Sequence, residues 1–234
     1  MNISWIKLSV MVLCLLSAIL CPAQERAYHE RYDAECQLAL SFWVSHEAEF
    51  KAIGSKAGVS ARFLFALVAP EISQFGYLSD RAQTYILKVM YVQRGKAYAD
   101  FSIGRFQMKP SFIERLEQCL RAESTLCTLF PEVLFTAESE RAERAERIKR
   151  LESMEWQLVY LALFCRVVQQ RFEHIVFADE TEKLQFYANA YNVGFHLNAS
   201  RLQQTQEAYF PHLSRQKYRY ADISLWFYQN IQLD

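Results

Sequence analysis

The spacing of apolar positions along the chain predicts a succession of helices. Over residues 28–52, Tyr32, Cys36, Ala39, Leu40, Trp43 and Phe50 recur at roughly helical intervals, with acids and His46 between them. Gly54 and Gly58 are expected to break that helix. Ser60 is a good N-cap for the run Ala61 to Ala69, which is apolar nearly all round and therefore reads as a buried central helix. Pro70 is expected to kink or end it, because proline lacks the amide donor and clashes with the preceding turn. That places Glu71 at the carboxyl end of a buried helix.

Further along, Ser79 to Arg94 predicts a helix stopped by Gly95, and residues 96–109 a loop or small β excursion. Pro110 suits the first turn of the next helix, Ser111 to Arg121. Residues 119–135 read as a packed connector. From Ala137 to Arg150 the chain is rich in Glu and Arg, and Glu140 with Arg144, Glu143 with Arg147 and Glu146 with Arg150 fall at i, i+4 in the favourable order. This pattern predicts a plain solvated helix. Glu155 to Phe172 is strongly apolar and again central. Thr181 to Tyr191 predicts a helix ending at Asn192-Val193-Gly194, with Gly194 as a left-handed cap, and Tyr218 to Leu233 a final packing helix.

Composition sharpens the fold class. Only six glycines and five prolines in 234 residues disfavour a β-sandwich, and 52% hydrophobic residues are ample for a core. The expectation is one mainly α domain, with a small loop or β excursion near the cleft. Formal net charge is zero, with no segregated basic patch, so a nucleic-acid partner is not expected.

The first residues read as a secretory signal. Lys7 precedes an apolar run from Leu8 to Leu20, and Cys21-Pro22-Ala23 supplies small residues for cleavage after Ala23. The run is shorter than the roughly 20 residues of a membrane span, so membrane attachment is expected only if the signal stays uncleaved. The expected layout is a signal peptide at 1–23, an N-terminal helix at 24–54 packing on the core, and the main domain at 55–234. Cys36, Cys119, Cys127 and Cys165 would remain. Cys119 with Cys127 and Cys36 with Cys165 is one arrangement for an exported chain, and four buried free thiols is the other.

Candidate chemistry centres on Glu71. Burial and the negative end of the helix dipole both favour a protonated carboxyl, which a general acid needs at neutral pH. Phe63, Phe65, Phe75 and Phe106 are candidates for an apolar wall. The five histidines show no His-Glu-x-x-His spacing, and neither a nucleophile elbow nor a phosphate-cradling glycine loop is present, so no metal or cofactor is expected.

Three pieces stand in order: Glu71-Ile72-Ser73, then Gly104-x-x-Gln107-Met108-x-Pro110, then Ala190-Tyr191-Asn192-x-Gly194. Over about residues 55–200 this trio resembles the soluble lytic transglycosylases, a lysozyme-like group that cleaves peptidoglycan strands. Ile72 stands where the family has its serine, and helix 137–150 reads as an insertion. The resemblance implies an α+β lysozyme-like fold, a periplasmic or exported location and peptidoglycan glycan strands as partner, with an envelope protein as a further partner. It implies Glu71 as the sole acid and base. Ser73, Gln107, Met108 and Tyr191 would contact substrate or position the carboxylate, and Asn192 and Gly104 would bind it chiefly by shaping the backbone of the cleft. A hydrolytic glycosidase would need a second carboxylate, for which Asp100 or Asp80 are candidates; the ordinary role for Asp100 is capping a turn into Ser102. A non-catalytic envelope protein that binds glycan or a partner is the alternative from another class.

Overall fold

A computed structural model describes residues 26–77, 81–204, 209–212 and 214–231. The apolar leader with its cleavage site, Cys14, Cys21 and the candidate Asp80 lie outside the described residues. The chain divides into two compact units, Met1–Asp33 and Ala34–Asp234. Within the described part of the first, α1 (Tyr28–Arg31) is capped by the Glu30 carboxylate, which accepts the Ala27 N–H at 3.1 Å.

The second unit is mainly helical. Its elements are α2 (Asp33–Ala57), α3 (Ala61–Gln74), α4 (Arg81–Arg94), α5 (Pro110–Ala122), α6 (Ser124–Leu129), α7 (Glu140–Glu152), α8 (Met154–Arg171), α9 (Glu180–Asn189), α10 (Ala199–Gln204) and α11 (Tyr220–Asn230). The expected β excursion reduces to one antiparallel bridge between Ile103 and Met108; a second isolated bridge joins Phe210 to Tyr218. Among the described residues no single helix is long and apolar enough to cross a membrane.

Helix α3 is the axis of the core. Every residue from Phe63 to Pro70 is buried, as its all-round apolar sequence requires, and the Ser60 hydroxyl caps its start by accepting the Phe63 N–H at 3.2 Å. It packs chiefly against α11, and also against α9. Trp43 and Phe50 of α2 bring their rings to 5.2 and 5.6 Å from Phe65, and Phe50 also meets Phe106 at 5.9 Å. Helix α8 is the second buried element, packed against α5 and α7.

Three sequence expectations change. Helix α2 runs through Gly54, where a Cβ would stand 2.5 Å from the Val59 carbonyl oxygen; close packing of the following turn calls for that glycine, and the break comes at Gly58, at φ +65°. Pro70 does not end α3, which continues to Gln74. An internal proline typically costs about 3 kcal/mol, and burial of the helix on all sides outweighs that cost here. The Tyr220 hydroxyl donates to the Leu67 carbonyl at 2.9 Å, satisfying a backbone acceptor next to the interrupted ladder.

The charged helix α7 is not plain surface. Its i, i+4 pairs do form, at 3.3 Å for Arg144 with Glu140, 3.9 Å for Arg147 with Glu143 and 3.4 Å for Arg150 with Glu146. Arg147 and Arg150 are nevertheless buried. Arg147 meets the buried Glu117 of α5 with Nη2 2.5 Å from the carboxylate and donates from Nη1 to the Tyr91 hydroxyl at 2.6 Å. The Tyr160 hydroxyl donates to the same Glu117 at 3.0 Å. Arg150 donates to the Val133 carbonyl at 2.8 Å and lies over the Trp156 ring at 4.0 Å. This polar knot joins α4, α5, α7 and α8. The four described cysteines are free thiols, so the two-disulfide arrangement is not adopted; the Cys127 thiol donates to the Leu120 carbonyl at 3.0 Å.

Candidate active site

The Gly104 hairpin positions one wall of the site. Ile103 and Met108 exchange backbone hydrogen bonds at 3.0 and 3.1 Å, so the four residues between them must reverse the chain tightly. Gly104 at φ +73° and Gln107 at φ +50° supply the left-handed conformations. Gly104 is also required sterically, since a Cβ there would fall 1.4 Å from Gln157 Nε2. Gln157, on α8 and 1% exposed, accepts the Phe106 N–H at 2.9 Å and donates to the Leu151 carbonyl. Nothing in the local pattern singled out Gln157, because it sits on the apolar helix Glu155 to Phe172 some fifty residues from the turn that it holds.

Helix α9 passes at Ala190 into a π-helical turn, Ala190–Gly194. Such turns carry one residue more than the α-ladder accommodates and often occur at functional sites. This one brings Tyr191 across to the hairpin, where its hydroxyl donates to the Phe106 carbonyl at 2.6 Å. The Tyr191 ring is held by Phe112 and Phe164, both at 5.4 Å. Gly194, at φ +111°, ends the turn as expected; a Cβ there would lie 2.6 Å from the His196 ring.

These pieces enclose a cavity of about 280 Å³ with Glu71 on its wall. That volume falls just below the roughly 300–1,000 Å³ usual for ligand pockets. Gln107, Met108, Tyr191 and Asn192 line it with Glu71, so five of the sequence-derived site residues meet. Gln107 is tied within its own turn, Nε2 donating to the Gly104 carbonyl at 2.8 Å. Met108 is 2% exposed and forms part of the floor.

Two residues do not reach the cavity. Ser73 lines a separate cavity of about 660 Å³, together with Phe42, His46, Phe75 and Arg105, and its hydroxyl donates to the Pro70 carbonyl at 2.7 Å. The cause is helical geometry: α3 continues past Pro70, and residues i and i+2 do not share a helix face. Gly104 shapes the hairpin from behind without lining the cavity. Nor do Phe63, Phe65, Phe75 and Phe106 form the cavity wall; the aromatic surface comes from Phe112, Phe195 and Tyr191.

The Glu71 carboxyl is half-buried and has no hydrogen bond or ion pair among the described residues. Loss of hydration pushes its pKa up to about 8, and the Lys109 ammonium opposes this only in part. At neutral pH the group is mainly the neutral acid. Burial, followed by the neighbouring Glu71 charge, likewise holds Tyr191 well above the ordinary phenol, so its hydroxyl stays protonated. Having donated its proton to Phe106, that oxygen keeps lone pairs with which to accept.

Asp100 also lines the cavity, but both its oxygens are engaged. They accept the Ser111 N–H at 3.0 Å and the Ser111 hydroxyl at 2.7 Å, which caps α5 across the loop, with Pro110 at its first position. The expected cap into Ser102 is thus a cap on Ser111. Residues the sequence reading did not select complete the lining, among them Lys109, Arg115, His196 and His212. Among the described residues no three His, Cys, Asp or Glu side chains gather as a metal-ligand set. Comparison with known proteins finds no matching family model, no matching curated protein and no matching solved structure.

Proposed function

We propose that this chain is a lytic transglycosylase that cleaves the β-1,4 bond between N-acetylmuramic acid and N-acetylglucosamine in peptidoglycan. The observation that carries the reading is the unpaired Glu71 carboxyl, raised to about 8 in a cavity shared with Gln107 and Tyr191. A general acid works best with a pKa near the operating pH. The three motifs that resemble the family are separated by some thirty to eighty residues in the chain, and five of their side chains line this one cavity.

In this reaction Glu71 gives its proton to the glycosidic oxygen as the bond from that oxygen to the anomeric carbon breaks. The resulting carboxylate takes the proton of the muramic C6 hydroxyl, whose oxygen bonds to the anomeric carbon. A 1,6-anhydro end forms, and Glu71 is protonated again. Gln107 and Asn192 supply amides toward the sugar, and the Tyr191 oxygen accepts a hydrogen bond beside the carboxyl. The fold is of the lysozyme-like kind, and the apolar leader directs the chain to the cell envelope, where an envelope protein is a further partner.

Asp100 supports a second reading, a hydrolase, because it faces the same cavity. Its engagement by Ser111 argues against it as a mobile base. Mass spectrometry of sacculi digested by the chain lacking residues 1–23 separates these readings. Anhydro ends that vanish in Glu71→Gln support the lyase, reducing ends support the hydrolase, and no fragments from the unmutated chain overturn both in favour of a non-catalytic binder.

A further inference from the structure

The larger cavity, of about 660 Å³, opens on a different face of α3 from the one that carries Glu71. Residues of α2, the end of α3 and the Gly104 hairpin line it; the hairpin that brings Gln107 to the Glu71 cavity brings Arg105 to this one. Most polar protons along its wall are already spent. On α2 the Ser41 and Ser45 hydroxyls donate to the Gln37 and Ser41 carbonyls, both at 2.9 Å, and His46 Nδ1 donates to the Phe42 carbonyl at 2.9 Å. The Ser73 hydroxyl likewise donates to its own helix, at Pro70. Glu35, the acid on this wall, is not free either.

Arg105 is the exception. Its guanidinium lies over the Phe75 ring at 4.5 Å and the Phe42 ring at 5.8 Å, and Phe42 in turn stacks on His46 at 4.0 Å. Ring faces orient the guanidinium plane but leave its five N–H donors without a lone-pair acceptor. Among the described residues Arg105 makes no ion pair and no hydrogen bond. Beside it stands an apolar wall of Leu38, Phe42, Ile72 and Phe75, in which Leu38 is 69% exposed. A sugar would need several polar partners here, and the back-bonded hydroxyls have given their protons away. A carboxylate needs only the planar fork, which it meets through two parallel hydrogen bonds, and an alkyl chain needs only the wall. We propose that this groove binds a single-chain amphiphile of the fatty-acid class, its carboxylate on Arg105 and its chain along Leu38, Phe42, Ile72 and Phe75.

The test titrates the exported protein by calorimetry with octanoate, decanoate, dodecanoate and neutral decanol, each below its micelle concentration. Decanoate is expected to bind at one site per chain, about tenfold more tightly than decanol. Each added methylene should tighten binding at least about twofold, full burial being worth about fourfold. Arg105→Met should remove the preference for the charged head while leaving decanol binding within about twofold, whereas Arg105→Lys should keep part of that preference. Leu38→Ser, at an exposed position, should weaken acid and alcohol alike by about threefold. Lys109→Met with Arg115→Met, which alter the Glu71 cavity, should leave decanoate binding unchanged. Absence of saturable binding overturns the inference, as does a head preference that survives Arg105→Met or one that is lost with Lys109 and Arg115. Equal binding of acid and alcohol also overturns it, and marks the groove as a purely apolar docking face. None of these probes is a glycan, so failure here leaves the glycan-cleaving reading untouched, and failure of that reading leaves this inference untouched.

Discussion

Replacing Glu71 with Gln should change how stability depends on pH, and the sign follows from the cavity. The folded-state pKa of about 8 lies above the ordinary 4.5. Below the ordinary value the carboxyl is protonated whether the chain is folded or not, so it costs the fold nothing. Between the two values the unfolded chain releases the proton and the folded chain keeps it, and stability falls as pH rises. Above about 8 the folded chain ionises too, and the loss is complete. At about 1.4 kcal/mol for each tenfold change, the rise from 4.5 to about 8 sets a ceiling of about 5 kcal/mol. A folded midpoint near 8 carries that whole difference, so about 5 kcal/mol is the penalty expected once both states are ionised. The amide introduced by Glu71→Gln carries no such charge. Urea melts at about pH 4 should give similar pH-dependent terms for the two proteins, and by about pH 9 the variant should have gained about 5 kcal/mol relative to the unmutated chain. Parallel stability profiles across that range would refute the reasoning, because they would mean that Glu71 ionises in the fold as freely as in water.

Other expected outcomes concern the frame around the acid. Arg147→Met strands the buried Glu117 carboxylate and should cost about 3–5 kcal/mol in denaturant melts; a double variant with Glu117→Leu should recover most of that loss. Gly104→Ala forces a side chain into Gln157 at a positive φ, and should cost about 3 kcal/mol or more and abolish glycan release with it. Lys109→Met removes the charge that partly lowers the Glu71 pKa, so the alkaline limb of the pH–rate profile should move up from about 8.

The five residues that meet at the cavity were named mainly from the resemblance of the three motifs to the family. Glu71 also carried a signal of its own, at the end of an apolar run, whereas Gln107, in a glycine-opened turn before a helix-starting proline, and Tyr191, at the end of a glycine-capped helix, took their roles from the resemblance. Ser73 was named from the resemblance alone, one residue beyond the family's serine position, and the continuation of α3 through Pro70 to Gln74 puts it on a different helix face from Glu71. Arg147 was hidden by a repeat in which every i, i+4 pair looks alike on paper. Only the tertiary position of Glu117 and Tyr91 decides which arginine turns inward. Gln157 and the remaining lining of the cavity were equally illegible, since Arg115, His196 and His212 come from segments whose neighbourhood is set by packing rather than by sequence spacing.

The account rests on a carboxyl that keeps its proton at neutral pH, and carbon NMR of protein labelled at its glutamate carboxyls observes that proton most directly. The resonance identified by its loss in Glu71→Gln is predicted to titrate with a midpoint near 8. A midpoint near the ordinary 4.5 would contradict the account.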